Sequence, residues 1–553
     1  MMRRLKFLHF IWFPFYFLVT ASGQATQGTS LVHFDKAFYV SGEHIWYHVF
    51  LPSSFESRNV AVRMTLHDES GMEIHHQYHR ADGIYGFSGY YQIPFDQPSG
   101  VYPVAFSVYL PQNKETRILG VFDIPIYNDL QETPPLEAQD ITESKALASE
   151  LILSITVESD AVKLRDKVRT QITVVDENGS PVESVVSISV IDSELLVARN
   201  PQIQSGDEIS IHSLERIDSS IFYTGLLADR DEKPLQANVL GAYVGRDQRI
   251  YYTKSDAGGR FVLKLPDFHG SKAVQFLGYY KETTDIKASL DPIKVRPSQT
   301  KLRYTQDVLD YIELSRLRKK IYQLYTSLET QIVSPEIRHQ PQALNPDLTY
   351  RIKEYENFDD IRAFFGELVT PLTFRVSSDS VYNAVLYNTK AKGVRNTFLT
   401  GTPLFIVDDK VTHDANFVAR MSLDAIETVE LFVDPDKLRR TFQAIGMSGV
   451  VRVTTQLQDV PMPESSEEDL YLVTGLQAPA SFPGADLTAE EQPIYRPLIY
   501  WSGGRKTDSQ GKLDLEFFHT DDLGKFIIQV VAQGVEGFRG YGTASYDVKQ
   551  ENP

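Results

Sequence analysis

The chain contains no cysteine. It can build no disulfide framework, no thiolate metal site and no thiol nucleophile, and it offers no cysteine for lipid attachment at a mature N-terminus. Stability must come from buried apolar surface, and 42% hydrophobic with 11% aromatic residues is enough for several cores. Basic residues are in the minority, 55 against 73 acidic, for a net charge of −18. Such a surface repels nucleic acid and anionic head groups, so no nucleic-acid partner is expected. The Gly-x-Ser-x-Gly elbow of a hydrolase is missing, and Gly446-Met447-Ser448-Gly449 falls one residue short of it. A phosphate-binding loop ending in Lys-Ser or Lys-Thr and a dinucleotide fingerprint are also missing. Long apolar runs are scarce: Phe7 to Val19 is too short to span a bilayer comfortably, and no membrane-spanning segment is expected in the mature chain.

That early run has another reading. Arg3, Arg4 and Lys6 precede it and Ala21-Ser22-Gly23 follows, the pattern of a cleaved signal peptide over 1–23. Its removal would leave 52 basic against 73 acidic residues, a net charge of −21. An exported chain of this length implies about three to five domains.

Most of the chain reads as β. His44 to Leu51 is strand-rich, and Val62, Met64 and Leu66 alternate with polar neighbours. Gln97-Pro98-Ser99-Gly100 signals a turn before the strand Val101 to Leu110. Asp35-Lys36, Tyr39, Gly42-Glu43 and Trp46, with Pro98-Ser99-Gly100-Val101-Tyr102 later, resemble the opening of a macroglobulin-type domain of the alpha-2-macroglobulin family. That resemblance implies a β-sandwich over 29–128. After a polar linker at 129–150, a second β-sandwich is expected over 148–222, with Asp176-Glu177-Asn178-Gly179 as a hairpin turn. A third, 223–297, resembles carboxypeptidase-regulatory-like sandwiches through Lys233-Pro234-Leu235 and Ser255-Asp256-Ala257-Gly258-Gly259-Arg260-Phe261. A last one, 493–550, again resembles a macroglobulin-family sandwich through Arg496 to Trp501 and the Asp-Gly turns near Asp508 and Asp522.

Two stretches break the β pattern. Over 300–330 the period changes, and Leu314, Leu317, Ile321, Leu324 and Leu328 recur at three and four residues. They predict one apolar stripe on a helix packed against a neighbour, with Arg316, Arg318, Lys319 and Lys320 on its other faces. The second stretch is 352–457. Asp434 can cap a helix that begins at Pro435, with Leu438, Phe442 and Ile445 buried and Gly446 as a left-handed end. Pro403 to Asp409, Leu423 to Leu431 and Gly446 to Thr455 occur in an order that resembles the plug domain of TonB-dependent receptors. Asp409 stands where that family has a glycine. No transporter barrel can follow, because about 22 strands need roughly 200 residues or more, and 98 residues follow Thr455. Residues 458–492, with the acidic run Glu464 to Asp469, read as a linker. The expected fold is therefore mainly β and multidomain, with several Ig-like or macroglobulin-type sandwiches, one small α+β unit and a helical segment.

Histidines supply the only candidate metal ligands. Glu43, His44 and His48 form one group, and His75, His76 and His79 another. Strand geometry would set residues four apart about 13 Å from each other, too far for one ion. No metal, cofactor or catalytic residue is therefore assigned. Tyr85, Phe87, Tyr90, Tyr91, Phe95, Tyr251 and Tyr252 could line a glycan or protein surface, or serve as core and cross-strand pairs. A thioester trap, which the macroglobulin resemblance suggests, requires a cysteine. The expectation is a non-enzymatic scaffold or binding subunit of a Gram-negative cell envelope, whose partner is an outer-membrane or other envelope protein. The alternative is an exported carbohydrate- or peptide-handling protein, marked by a deep pocket with convergent carboxylates or histidines of shifted acidity.

Overall fold

Period-two alternation of apolar residues becomes paired strands through most of the computed structural model. It describes residues 29–549 except 53–54, 56–58, 112–113, 133–148, 160, 194–202, 209–218, 230, 237, 279–285, 326–341, 356–357, 359, 377–380, 388–398, 400, 458–469 and 485–492. The expected signal peptide 1–23, most of the expected linker at 129–150 and the acidic run Glu464 to Asp469 lie outside the described residues.

The first sandwich packs two sheets over a core that includes Val32, Tyr47, Val62, Met64, Phe106 and Phe122. One sheet pairs Thr29–Phe34, His44–Phe50 and Phe87–Gln92; the other is built on Asn59–His67, Gly100–Leu110 and Glu115–Tyr127. Its first sheet also receives Ile203–Glu208, which pairs with Thr29–Phe34 although the sequence placed it in the second unit.

The units expected at 148–222 and 493–550 are one sandwich. Lys167–Val175 pairs with Lys512–Phe518, and Ser184–Asp192 lies between Leu498–Lys506 and Gly524–Gly534. Their side chains fill a single core containing Val186, Ile188, Phe517, Phe526 and Val530. Alternation shows which face of a strand is apolar but not which strand lies beside it, so distant segments looked independent. The Asp176–Gly179 turn forms, yet the strands flanking it go to different sheets rather than closing a hairpin. The third sandwich, Ile221–Leu290, likewise recruits Leu470–Thr474 as an edge strand beside Ser271–Gly278. That strand lies inside the segment expected to be linker, and it buries Val473 completely.

A recurring turn gives these sandwiches a common style. Asp68, Asp176, Asp229, Asp256 and Asp508 each accept backbone N–H groups from the residues two and four positions on. The residue three positions on has positive φ in all five, glycine in four and Glu232 in the other. The aspartate does the work of a backbone turn, and glycine meets the left-handed requirement without strain.

Helix α1, Gln306–Tyr325, lies where expected but turns a different face inward. Val308, Tyr311, Ile312, Ser315 and Arg318 are buried, whereas Leu317 and Leu324 of the predicted stripe are 52% and 80% exposed. The buried face meets Val40, Trp46, Tyr127, Ile191 and Trp501, which belong to the first two sandwiches. It is amphiphilic because the surface beneath it carries charges, and a rule that counts only aliphatic residues misses such a face.

The α+β unit has a five-stranded sheet ordered Leu348–Arg351, Ile426–Phe432, Val450–Thr455, Leu404–Val407 and Lys410–Thr412. Helices α2 (Ile361–Glu367), α3 (Ala415–Ala419) and α4 (Pro435–Thr441) accompany it, and each is capped by an aspartate that accepts two backbone N–H bonds. Asp434 is the cap of α4, as read from Asp-Pro. The helix ends at Thr441, and the left-handed residue after it is Gln443, not Gly446. At the Asp408-Asp409 turn the positive φ falls on Asp408, whose carboxylate accepts from the Thr455 N–H and hydroxyl. The missing glycine at position 409 therefore creates no strain. Phe432, Leu438, Phe442 and Ile445 pack against Tyr243 and Leu277 of the third sandwich.

Candidate functional site

The histidines sit on strands, and alternation separates them. In Glu73–Asp82, His76 bonds Glu73 at 2.8 Å and Tyr223 at 3.0 Å, whereas His75 packs on Tyr91. His79 lies 2.7 Å from the Tyr47 hydroxyl and stacks on Phe87. His44 and His48 share a strand, but His48 is buried, with Nδ1 2.8 Å from Ser88 Oγ. No group of three or more histidine, aspartate or glutamate side chains could hold a metal ion among the described residues. A histidine that was not singled out, His33, lies opposite His48 in the neighbouring strand and bonds Ser187 of the second sandwich at 2.8 Å. Burial pushes His33, His48 and His79 down to about 3, and the neighbouring His48 adds to the effect at His33. All three are neutral at ordinary pH.

Of these histidines, His79 lines a cleft of ≈ 490 Å³ where three units meet. The first sandwich contributes Trp46, Phe87 and Tyr90, the second Tyr500 and Trp501, and the segment from Leu476 to Phe482 closes the third side. Trp46 stands 5.3 Å from Tyr90 and 5.6 Å from Phe482, centroid to centroid. Gln477 fastens the crossing segment to the first sandwich. Its side-chain amide donates to Tyr90 O at 2.6 Å and accepts from Tyr90 N at 3.0 Å, and its backbone N–H donates to Tyr78 O at 2.8 Å. Of the aromatic residues singled out in the sequence, the structure brings Phe87 and Tyr90 to the cleft. Tyr85, Tyr91, Phe95, Tyr251 and Tyr252 do not line it. Trp501 and Phe482 were missed because the partners of their segments are far away in sequence.

The polar edge of the cleft includes Ser88, Ser481, Ser502, Arg80, Arg505, His79 and His269, and among the described residues no aspartate or glutamate lines it. Ser88 of this edge contacts a base, His48. An imidazole held at about 3 is a weak base at neutral pH, and its Nε2 has no hydrogen-bond partner to orient it. The walls are suited to stacking and amide contacts rather than to proton transfer.

No family model and no curated protein matches the chain. Among solved structures it is similar to Salmonella alpha-2-macroglobulin reacted with methylamine at 8% identity and a TM-score of 0.24, covering 94% of this chain and 40% of that one. Escherichia coli alpha-2-macroglobulin activated by porcine elastase gives 9% identity and a TM-score of 0.24, covering 94% of this chain and 44% of that one. The Yersinia pseudotuberculosis adhesin InvE gives 9% identity and a TM-score of 0.13, covering 49% of this chain and 60% of that one. The chain thus spans less than half the length of the macroglobulins it matches. These identities and TM-scores are too low to carry function across. No helix of the described residues is long and apolar enough to cross a membrane.

Proposed function

We propose that the protein is a non-enzymatic binding scaffold of the cell envelope, exported by its N-terminal segment, which holds a partner protein in the cleft between its sandwiches. The observation that carries this reading is the cleft itself, with aromatic walls from two sandwiches, a strap pinned by Gln477 and no carboxylate. Shared cores hold those walls in place. Tyr78 of the first sandwich packs in the core of the third, and Trp46 packs with Tyr311 of α1 and Trp501 of the second sandwich. The α+β unit, with its plug-like order of elements, would add a second docking surface toward an outer-membrane protein.

A photo-crosslinking residue at Ser481 or Arg505, both exposed on the cleft, should capture an envelope protein in intact cells. Replacing Tyr90 with alanine should weaken that capture. Recovery of only un-crosslinked chain from both positions would refute the reading.

A further inference from the structure

A second, smaller pocket lies beyond Trp46 and Phe482, between helix α1 and the first two sandwiches, with a volume of ≈ 80 Å³. Arg318 of α1 borders it and is 5% exposed. None of its guanidinium nitrogens, Nε, Nη1 or Nη2, has a hydrogen-bond partner. The nearest carboxylate oxygen, Asp522 Oδ1, stands 3.6 Å from Nη2, an ion pair too long to be a hydrogen bond. Asp522 is held in place through its other oxygen, Oδ2, which accepts from Arg496 N–H and the Thr520 hydroxyl at 2.7 Å each, and this anchoring keeps Oδ1 at ion-pair distance from Arg318. Arg496 also borders the pocket, its guanidinium donating to Pro483 O at 2.7 Å.

The other charges around the pocket have partners of their own, apart from one oxygen of Asp35. Lys36 Nζ meets Glu43 Oε2 at 2.6 Å, and the Tyr311 hydroxyl donates to Glu43 Oε1 at 2.6 Å. Asp35 accepts from Tyr39 and from Trp46 N–H through Oδ1, and its Oδ2 has no partner. One guanidinium is therefore left with its donors uncommitted in a site otherwise closed by paired groups. A buried guanidinium is costly unless its donors are met, and its planar fork matches the two oxygens of a carboxylate.

We propose that this pocket binds the carboxylate of a small organic acid, with Arg318 as the bidentate anchor. A dianionic phosphate is disfavoured because Glu43 and Asp522 already place negative charge around the site. The ligand would bridge Arg318 on α1 to walls from both sandwiches, and so clamp the helix onto the junction. This proposal is independent of any partner in the larger cleft, since it rests on Arg318 and not on the cleft's aromatic walls.

The test titrates purified full-length protein with acetate, lactate and inorganic phosphate at constant ionic strength. The readouts are melting temperature and tryptophan emission, which reports on Trp46 at the pocket wall. Acetate or lactate should raise the melting temperature and change emission saturably, whereas phosphate should not. Arg318→Gln should weaken the response at least about tenfold, the loss of one charge-assisted bidentate pair. Arg318→Lys, which keeps charge without the fork, should fall between the two. If Arg318→Gln does not fold, wild type and Arg318→Lys decide. No saturable response in wild type, an equal response in the variants, or a preference for phosphate would each overturn the proposal.

Discussion

Acid should unlock the joint between the first two sandwiches, because three of its neutral imidazoles have no room for a proton. His33, His48 and His79 titrate near 3 in the fold and near 6.5 in an unfolded chain, and burial is the main cause. A folded value below the unfolded one gives stability that is complete above pH 6.5 and is lost as pH falls toward 3. Each ring then costs about 1.4 kcal/mol per pH unit, so the three together cost about 4. Asp35 acts in the opposite sense. Burial raises it to about 7, so the fold takes up a proton there that an unfolded aspartate refuses until pH nears 4. His44, which burial lowers to about 4, adds a fourth ring, so between pH 6 and 5 the net slope from these groups is about three protons, or about 4 kcal/mol per unit. Against a total stability of about 5–15 kcal/mol that is decisive. Urea denaturation followed by tryptophan emission at pH 6.0, 5.5 and 5.0 measures the slope. The double variant His33→Gln/His48→Gln keeps polar side chains beside Ser187 and Ser88 but removes two titrating rings, and should lower the slope by about two protons. A slope below about 1 kcal/mol per unit in wild type, or one unchanged in the variant, would refute the assignment of these rings as buried and neutral.

Three further outcomes follow from the packing. Arg539, buried where the first and second sandwiches meet, donates to Gln533 Oε1 at 2.8 Å, to Thr29 Oγ1 at 3.2 Å and to Thr29 O. Arg539→Met should cost about 3 kcal/mol in chemical denaturation, because it removes these buried, charge-assisted hydrogen bonds. Gly245 begins a turn of the third sandwich where an added Cβ would overlap the Asp409 carbonyl of the α+β unit. Gly245→Ala should loosen that contact by about 1–3 kcal/mol, visible as faster limited proteolysis between the two units. A fluorophosphonate probe should leave Ser88 unlabelled at pH 7–8, as its histidine neighbour is too weak a base; labelling lost in Ser88→Ala would reveal a hydrolase.

The mainly β character was legible because alternation at Val62, Met64 and Leu66 survives in any sheet that buries one face. The capped start of α4 was legible too, since Asp434 and Pro435 act within one turn of chain. What could not be read was partnership. Lys167–Val175 declares an apolar face as plainly as Lys512–Phe518, yet nothing in either says that they adjoin. The face of α1 was misjudged for a related reason. Its buried side carries Tyr311, Ser315 and Arg318, and Tyr311 bonds Lys36 and Glu43 of the first sandwich. The cleft was hidden in the same way, since Trp46, Phe482 and Trp501 converge only after three distant segments pair.

The interleaving of sheets has a kinetic consequence. The second sandwich holds Ser184–Asp192 at its centre, flanked on both sides by strands that begin more than three hundred residues later. As the chain emerges from a ribosome or a translocation channel, Ser184–Asp192 has neither of its neighbours, and Lys167–Val175 has Ile152–Val157 on one side only, so their hydrogen-bonding edges stay open. They must wait, guarded by a chaperone or held apart by dilution, until the carboxy-terminal strands arrive to enclose them. Maturation of this molecule should thus be slow, and it should depend on delivery of the hairpin Gly524–Gly534 and Arg539–Val548.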